Sequence, residues 1–208
     1  MTVPRYAPLD DRGVIALSGA ETLSFLQGLL TNDAQPAGAG RAVYAALLTP
    51  QGKYLHDLIL VPAGERFLLD CERARLDDLK RRLTLYRLRA KVTIEDVSDS
   101  LAVFALFGDG AAARAGLSGE PGTTQPFGGG IAYPDPRLAD LGGRAILPRT
   151  SGAAALEKVG FAPAPPADYR GLRVALGVGE GGGELGADRT LALETGLDLL
   201  NGVSFTKG

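Results

Sequence analysis

Apolar and polar positions recur with two different periods along this chain, and the places where the period changes outline its elements. Gly13 to Leu17 is a short apolar run of the length of a buried strand. Ser18, with Glu21 three residues on, is a capping-box pattern that predicts a helix from near Gly19. Phe25, Leu26, Leu29 and Leu30 continue it at helical spacing, and Thr31-Asn32-Asp33 before Pro36, Gly38 and Gly40 end it.

From Arg41 to Val97 the texture changes. Val43 to Leu48, Tyr54 to Val61 and Arg66 to Leu69 read as strands, separated by the turns Thr49-Pro50-Gln51-Gly52 and Pro62-Ala63-Gly64-Glu65. Tight turns between consecutive strands imply an antiparallel meander. Leu76, Leu79 and Leu83 then repeat at i, i+3, i+7 on a charged helix, and Lys91 to Glu95 alternates as a half-exposed strand. After Ser98 come a strand at Leu101 to Phe107, a short Ala-rich helix near Ala111 to Ala115, and a strand at Arg144 to Leu147. Helices follow at Ala153 to Val159 and at Asp168 to Leu176. The expected fold class is α+β, with residues 1–40 and 98–208 forming one discontinuous domain and 41–97 inserted as a second.

Composition narrows the function classes. The 208 residues carry 22 Lys and Arg against 24 Asp and Glu, so a net charge of −2 offers no global field for nucleic acid, and such binding is not expected without a local patch. Apolar stretches such as Leu58 to Pro62 fall far short of the ~20 residues of a membrane-spanning helix, and no membrane partner is expected. The single cysteine, Cys71, has no partner for an internal disulfide; with no recognisable leader, a cytoplasmic location is expected.

Candidate chemistry is sparse. Gly177-Val178-Gly179-Glu180-Gly181-Gly182 satisfies G-x-G-x-x-G, but it lacks the strand before it and the helix after it that a dinucleotide cradle needs, and reads as a flexible loop. His56 is the only histidine, so neither a histidine metal site nor a serine triad is supported, and no catalytic or metal-binding residue is assigned. It reads as a strand residue facing solvent or satisfied locally. The strongest charge feature is the run Arg73, Arg75, Lys80, Arg81, Arg82, Arg87, Arg89 and Lys91, offset in part by Asp77 and Asp78. It is either a solvated helix face or a landing strip for an extended polyanion.

Three blocks carry a family resemblance. They are Phe25 to Asp33 (FLQGLLTND), Tyr44 to Lys53 (YAALLTPQGK) and Gly202 to Gly208 (GVSFTKG), supported by Leu88-Arg89-Ala90-Lys91-Val92, Asp135-Pro136-Arg137 and Leu193 to Asp198. Together they resemble the YgfZ family of folate-binding iron–sulfur assembly factors, relatives of the glycine-cleavage T-protein. Phe205, Thr206, Lys207 and Gly208 are the matching part of the signature motif. In that family a cysteine follows the Lys-Gly pair and a C-terminal β-barrel closes the structure; this chain stops at Gly208 and is expected to be a truncated member without the barrel.

The resemblance implies two small antiparallel sheet-and-helix units of the aminomethyltransferase type that bind tetrahydrofolate. Glu194 matches the glutamate that contacts the pterin in the T-protein branch, and a carboxylate suits an aminopterin edge because it accepts two parallel N–H bonds. A helix-start acid is the other reading of Glu194. Within the basic run, Arg81, Arg82 and Arg89 are the expected contacts for the folate's glutamate tail. The function implied is folate-dependent support of iron–sulfur cluster assembly, with iron–sulfur assembly or client proteins as partners. Aminomethyl transfer is the alternative, and an RNA-binding module using Arg73 to Lys91 is an alternative of another class.

Overall fold

The computed structural model describes residues 3–117 and 119–207. Among them the strands are β1 (Arg5–Pro8), β2 (Arg12–Ser18), β3 (Val43–Leu48), β4 (Tyr54–Ala63), β5 (Arg66–Glu72), β6 (Thr93–Asp96), β7 (Leu101–Phe107), β8 (Gln125–Phe127), β9 (Gly130–Pro134), β10 (Gly143–Pro148) and β11 (Ala162–Pro163). The helices are α1 (Thr22–Leu29), α2 (Gln35–Gly38), α3 (Leu76–Arg87), α4 (Ala111–Arg114), α5 (Gly152–Lys158), α6 (Pro166–Ala175) and α7 (Gly181–Leu185). The fold is α+β, with two sheets ordered β11-β1-β7-β10-β9-β8 and β3-β4-β5-β2-β6, and all pairings antiparallel except β1 with β11.

Strand alternation stacks these elements in four layers. On β2 and β4, Ile15, Leu17, Leu58 and Leu60 face outward and are covered by Leu26 of α1, Ala37 of α2 and Leu76, Leu79 and Leu83 of α3. Their neighbours Val14, Ala16, Ile59 and Val61 face inward against Val103, Ala105, Phe107 and Ile146 of the other sheet. That sheet's outer face, with Phe104, Leu106, Ala145 and Leu147, is covered by α4 and α5. Each fully buried leucine in these layers contributes about 1.5–3 kcal/mol.

Three features differ from the sequence expectation. Residues 12–18, grouped there with 98–208, pair instead with β5 and β6, so β2 is an inner strand of the 41–97 sheet. The capping box does not form. Ser18 ends β2 opposite Arg66 and Thr93, and Gly19 turns the chain at φ +122°, where a Cβ would lie 2.1 Å from the Lys91 carbonyl. The Glu21 carboxylate accepts the Lys91 amide at 2.5 Å, and α1 starts at Thr22. The hairpin β8–β9 was not anticipated, because Gly128-Gly129-Gly130 resembles a loop. Gly128 and Gly129, at φ +55° and +82°, form the two-residue turn that joins it.

Candidate functional site

Between the two sheets lies a buried set of ionised side chains. β2 supplies Arg12, β4 Asp57, β5 Asp70, β10 Arg144, and the turn after β9 Asp135 and Arg137. The Asp70 carboxylate bridges the sheets, accepting Arg12 Nε at 2.6 Å through Oδ1 and Arg144 Nη1 at 2.6 Å through Oδ2. Asp135 accepts Arg137 at 2.8 and 3.0 Å and Arg144 Nε at 3.1 Å. Glu180, from the glycine-rich segment, completes the set: its Oε1 accepts Arg144 Nη2 at 2.8 Å and Arg137 Nη1 at 3.1 Å and lies 3.4 Å from Arg12, while its Oε2 lies 3.5 Å from Arg173. Burial alone would raise the Glu180 carboxyl, but Arg12, Arg144, Arg137 and Arg173 together hold it well below the usual carboxylate range. Asp135 is depressed in the same way, burial being outweighed by Arg137 and Arg144. These groups hold the sheets and the C-terminal segment in one register.

The glycine-rich segment is therefore built into the structure. The Gly181 amide donates to Asp57 Oδ1 at 3.0 Å and the Gly182 amide to Glu72 at 2.8 Å, and both glycines lie in the first turn of α7. Sequence reasoning passed over Glu180 because its role depends on arginines from β2, β10, α6 and the turn after β9. The one available signal was a lone acid in a run of glycines.

The three motif blocks converge where the chain returns to α1. Lys207 Nζ donates to the carbonyls of Gln27 at 2.5 Å, Leu30, and Asn32 at 3.3 Å, capping the unpaired end of α1. Around it Thr31 Oγ1 donates to the Gly202 carbonyl at 2.6 Å, Asn32 Nδ2 donates to the carbonyls of Tyr44 and Asn201 at 2.9 and 2.6 Å, and the Ser204 amide reaches Thr31 at 3.1 Å. Burial lowers the Lys207 ammonium below its ordinary value. Thr206 lies on the same turn, its amide donating to Ser204 Oγ at 3.4 Å, while Phe205 is 75% exposed. Gly208 lies outside the described residues. Beside this junction Asn32, Asp33, Arg41, Tyr44, Pro136 and Asn201 line a cavity of about 350 Å³, and the Tyr44 hydroxyl is buried without a hydrogen-bond partner.

Glu194 sits in a 3₁₀ turn, Ala192–Thr195, laid along the Gly52-Lys53 turn: the Ala192 amide donates to Gly52 at 3.1 Å and Leu191 bridges Lys53. Its Oε2 accepts the Leu191 amide at 2.9 Å, as a helix-start acid does, and Oε1 faces outward on an exposed side chain. Ala192 and Leu197 on either side pack into the inter-sheet core. The arginines expected to share a folate with it are elsewhere. Arg81 and Arg82 lie on α3, which covers the opposite face of the second sheet, and both donate to Asp78, at 2.5 and 2.7 Å. Arg89 follows that helix on the surface. The structure does not bring Glu194, Arg81, Arg82 and Arg89 into one site.

His56 and Cys71 are buried. His56 Nε2 contacts Asp78 at 2.9 Å, and burial with the nearby Arg75 and Arg82 cations lowers the imidazole to about 4, so it is neutral and donates to the carboxylate. Burial pushes the Cys71 thiol up to about 12, which makes it an inert packing group.

Compared with known proteins, residues 10–117 match the GCVT N-terminal domain. The iron-sulfur cluster assembly factor IBA57, mitochondrial, of Homo sapiens is 37% identical over 215 residues, covering 96% of this chain and 58% of that protein. The mouse protein is 34% identical over 221 residues with the same two coverages of 96% and 58%, and the Neurospora crassa homolog is 29% identical over 210 residues, covering 96% and 47%. The chain spans about half the length of the curated relatives it matches. Among solved structures, the glycine cleavage system aminomethyltransferase T from Bartonella henselae superposes with a TM-score of 0.76 at 23% identity, covering 91% of this chain and 55% of that one; this establishes the fold. These relatives carry the IBA57 name rather than the YgfZ name suggested by the motifs. They also overturn the cytoplasmic expectation, since all three are named as mitochondrial. A lone cysteine excludes an internal disulfide, but it does not distinguish one compartment from another.

Proposed function

The chain belongs to the GCVT N-terminal domain family, and from that premise we propose that it serves iron–sulfur cluster assembly as a folate-binding module of the YgfZ-like kind and turns over no substrate of its own. The observation that carries this reading is the junction at Lys207. It ties the signature segment to the FLQGLLTND and YAALLTPQGK blocks through backbone carbonyls and leaves Phe205 projecting. A fixed backbone with an outward apolar side chain suits contact with another protein better than enclosure of a reacting substrate. The names of the relatives, assembly factors in human, mouse and Neurospora crassa, support the same class.

Tetrahydrofolate fits groups that the fold leaves open. Glu194 Oε1 is free to accept an N–H of the aminopterin edge, and the cavity bordered by Asn32, Tyr44 and Asn201 is large enough for a flat heterocycle. When bound, the folate would supply one-carbon chemistry or a structural plug; the chain's part is to orient the ring through Glu194. Arg81 and Arg82 are left out of this reading because Asp78 holds them on another layer.

Titrating 5-formyltetrahydrofolate into the chain by calorimetry tests the proposal. Glu194→Gln keeps an oxygen for the Leu191 amide but loses the charge, so binding is expected to weaken by about tenfold. Equal affinity of the two proteins would remove Glu194 from the site, and no binding by either would remove folate from the function. Iron–sulfur enzyme activity in cells lacking the resident factor, with and without Lys207→Ala, tests the assembly role.

A further inference from the structure

Leu88 terminates α3 at φ +47° and ψ −107°, a backbone conformation that residues with a Cβ rarely adopt. Glycine would sit there without strain. The leucine is nevertheless 86% exposed, so its side chain gains no packing inside the chain to offset the strain. Leu85, in the last turn of α3, is 67% exposed, and Tyr86 after it is 36% exposed. The contacts that hold α3 to the sheet come from Leu76, Leu79 and Leu83 on its other side.

Cations surround this apolar tip. Arg81 lies one turn before Leu85, and Arg89 and Lys91 follow Leu88; the side chains of Arg89 and Lys91 are exposed and make no hydrogen bond or ion pair among the described residues. Nearby acids are already engaged. Asp78 is paired with Arg81 and Arg82 and accepts from His56, and Glu21, which accepts the uncharged Lys91 amide, offsets one of the three cations Arg87, Arg89 and Lys91. The tip is locally positive on a chain of net charge −2.

We infer that this tip, Leu85 and Leu88 with Arg89 and Lys91, docks the protein reversibly on an anionic phospholipid surface. Such a surface rewards both halves of the patch at once: the leucines enter the boundary of the acyl layer while the cations meet headgroup phosphates. A nucleic-acid backbone would use the cations and leave both leucines in water. No described helix is long and apolar enough to cross a membrane. It is independent of the folate reading, which involves the opposite side of the second sheet.

Sedimentation with vesicles of phosphatidylcholine alone, or mixed with phosphatidylserine, tests the inference. The chain should pellet with the mixed vesicles, less so as salt rises, and stay in solution with the neutral ones. Leu85→Ser with Leu88→Gly should lower binding about tenfold or more. Leu88→Gly alone should hold or raise the melting temperature, because it removes strain, and this separates lost docking from lost folding. Failure to pellet with anionic vesicles, or unchanged binding by the double variant, would overturn the inference. So would salt-dependent binding to poly(U) that survives in the double variant without vesicle binding, since the cations would then belong to nucleic acid.

Discussion

At the scale of single residues, burial sets the protonation of His56 and the environment of Lys207, with different consequences. The folded imidazole titrates near 4 while the unfolded one titrates at 6.5. A depressed folded value means that the unfolded chain takes up the proton first, so stability is full above about pH 6.5 and falls as pH drops toward about 4. The fall attributable to His56 is about 3 kcal/mol, visible as a slope in urea-unfolding free energy across that window and flattened in His56→Gln. Lys207 acts through its three carbonyl acceptors. Lys207→Ala is expected to cost about 1–3 kcal/mol and to release the Ser204 amide, read as faster hydrogen exchange there than in β4.

Elements show where local pattern and packing agree. The spacing of Leu76, Leu79 and Leu83 marked α3 because one helix face meets one sheet face, and the tight turns between β3, β4 and β5 marked the meander because they leave consecutive strands no partner but each other. The hairpin β8–β9 escaped notice because its tightest position carries no side chain: a Cβ on Gly130 would lie 2.1 Å from the Ile146 carbonyl of β10. Gly130→Ala should therefore push β9 off β10 and destabilise by about 1–3 kcal/mol or more, measured as a lowered melting temperature. An alanine at Gly52, where nothing lies near the would-be Cβ, meets no such contact and bears only its φ of +80°, so it should cost less.

For the whole molecule, the ionic set between the sheets is expected to couple the opening of one sheet to the opening of the other. Asp70, Asp135 and Glu180 draw arginines from both sheets and from α6, so opening either sheet strands buried charges in the other. Glu180→Gln should cost about 3–5 kcal/mol in chemical denaturation, and β5 and β10 should open together in native-state hydrogen exchange. The depressed carboxyls of Glu180 and Asp135 contribute stability above the ordinary carboxylate range, and this is lost as pH falls through their folded values. Acid unfolding followed by circular dichroism should be steep below about pH 4.5 and shallower in Glu180→Gln, which has one titrating group fewer.

Read alone, the sequence determined the α+β class, the strands of the meander β3 to β5, the charged helix carrying Leu76, Leu79 and Leu83, and the motif blocks that point to an assembly-factor family. Each depends on neighbours a few residues apart or on contiguous words, which a linear chain displays. The partners of those words required the fold. Only tertiary structure brought Lys207 to the end of α1, since nearly the whole chain separates them, and only it moved β2 into the second sheet, since strand pairing is decided by which face of Ile15 and Leu17 is covered. It also separated Glu194 from Arg81, Arg82 and Arg89. Charges that look complementary along a sequence can share a ligand only on one side of a sheet, and here a buried sheet lies between them. Glu180 became the ionic centre of the molecule for the corresponding reason: a buried carboxylate is held by the arginines packed around it, and those arrive from distant strands and helices.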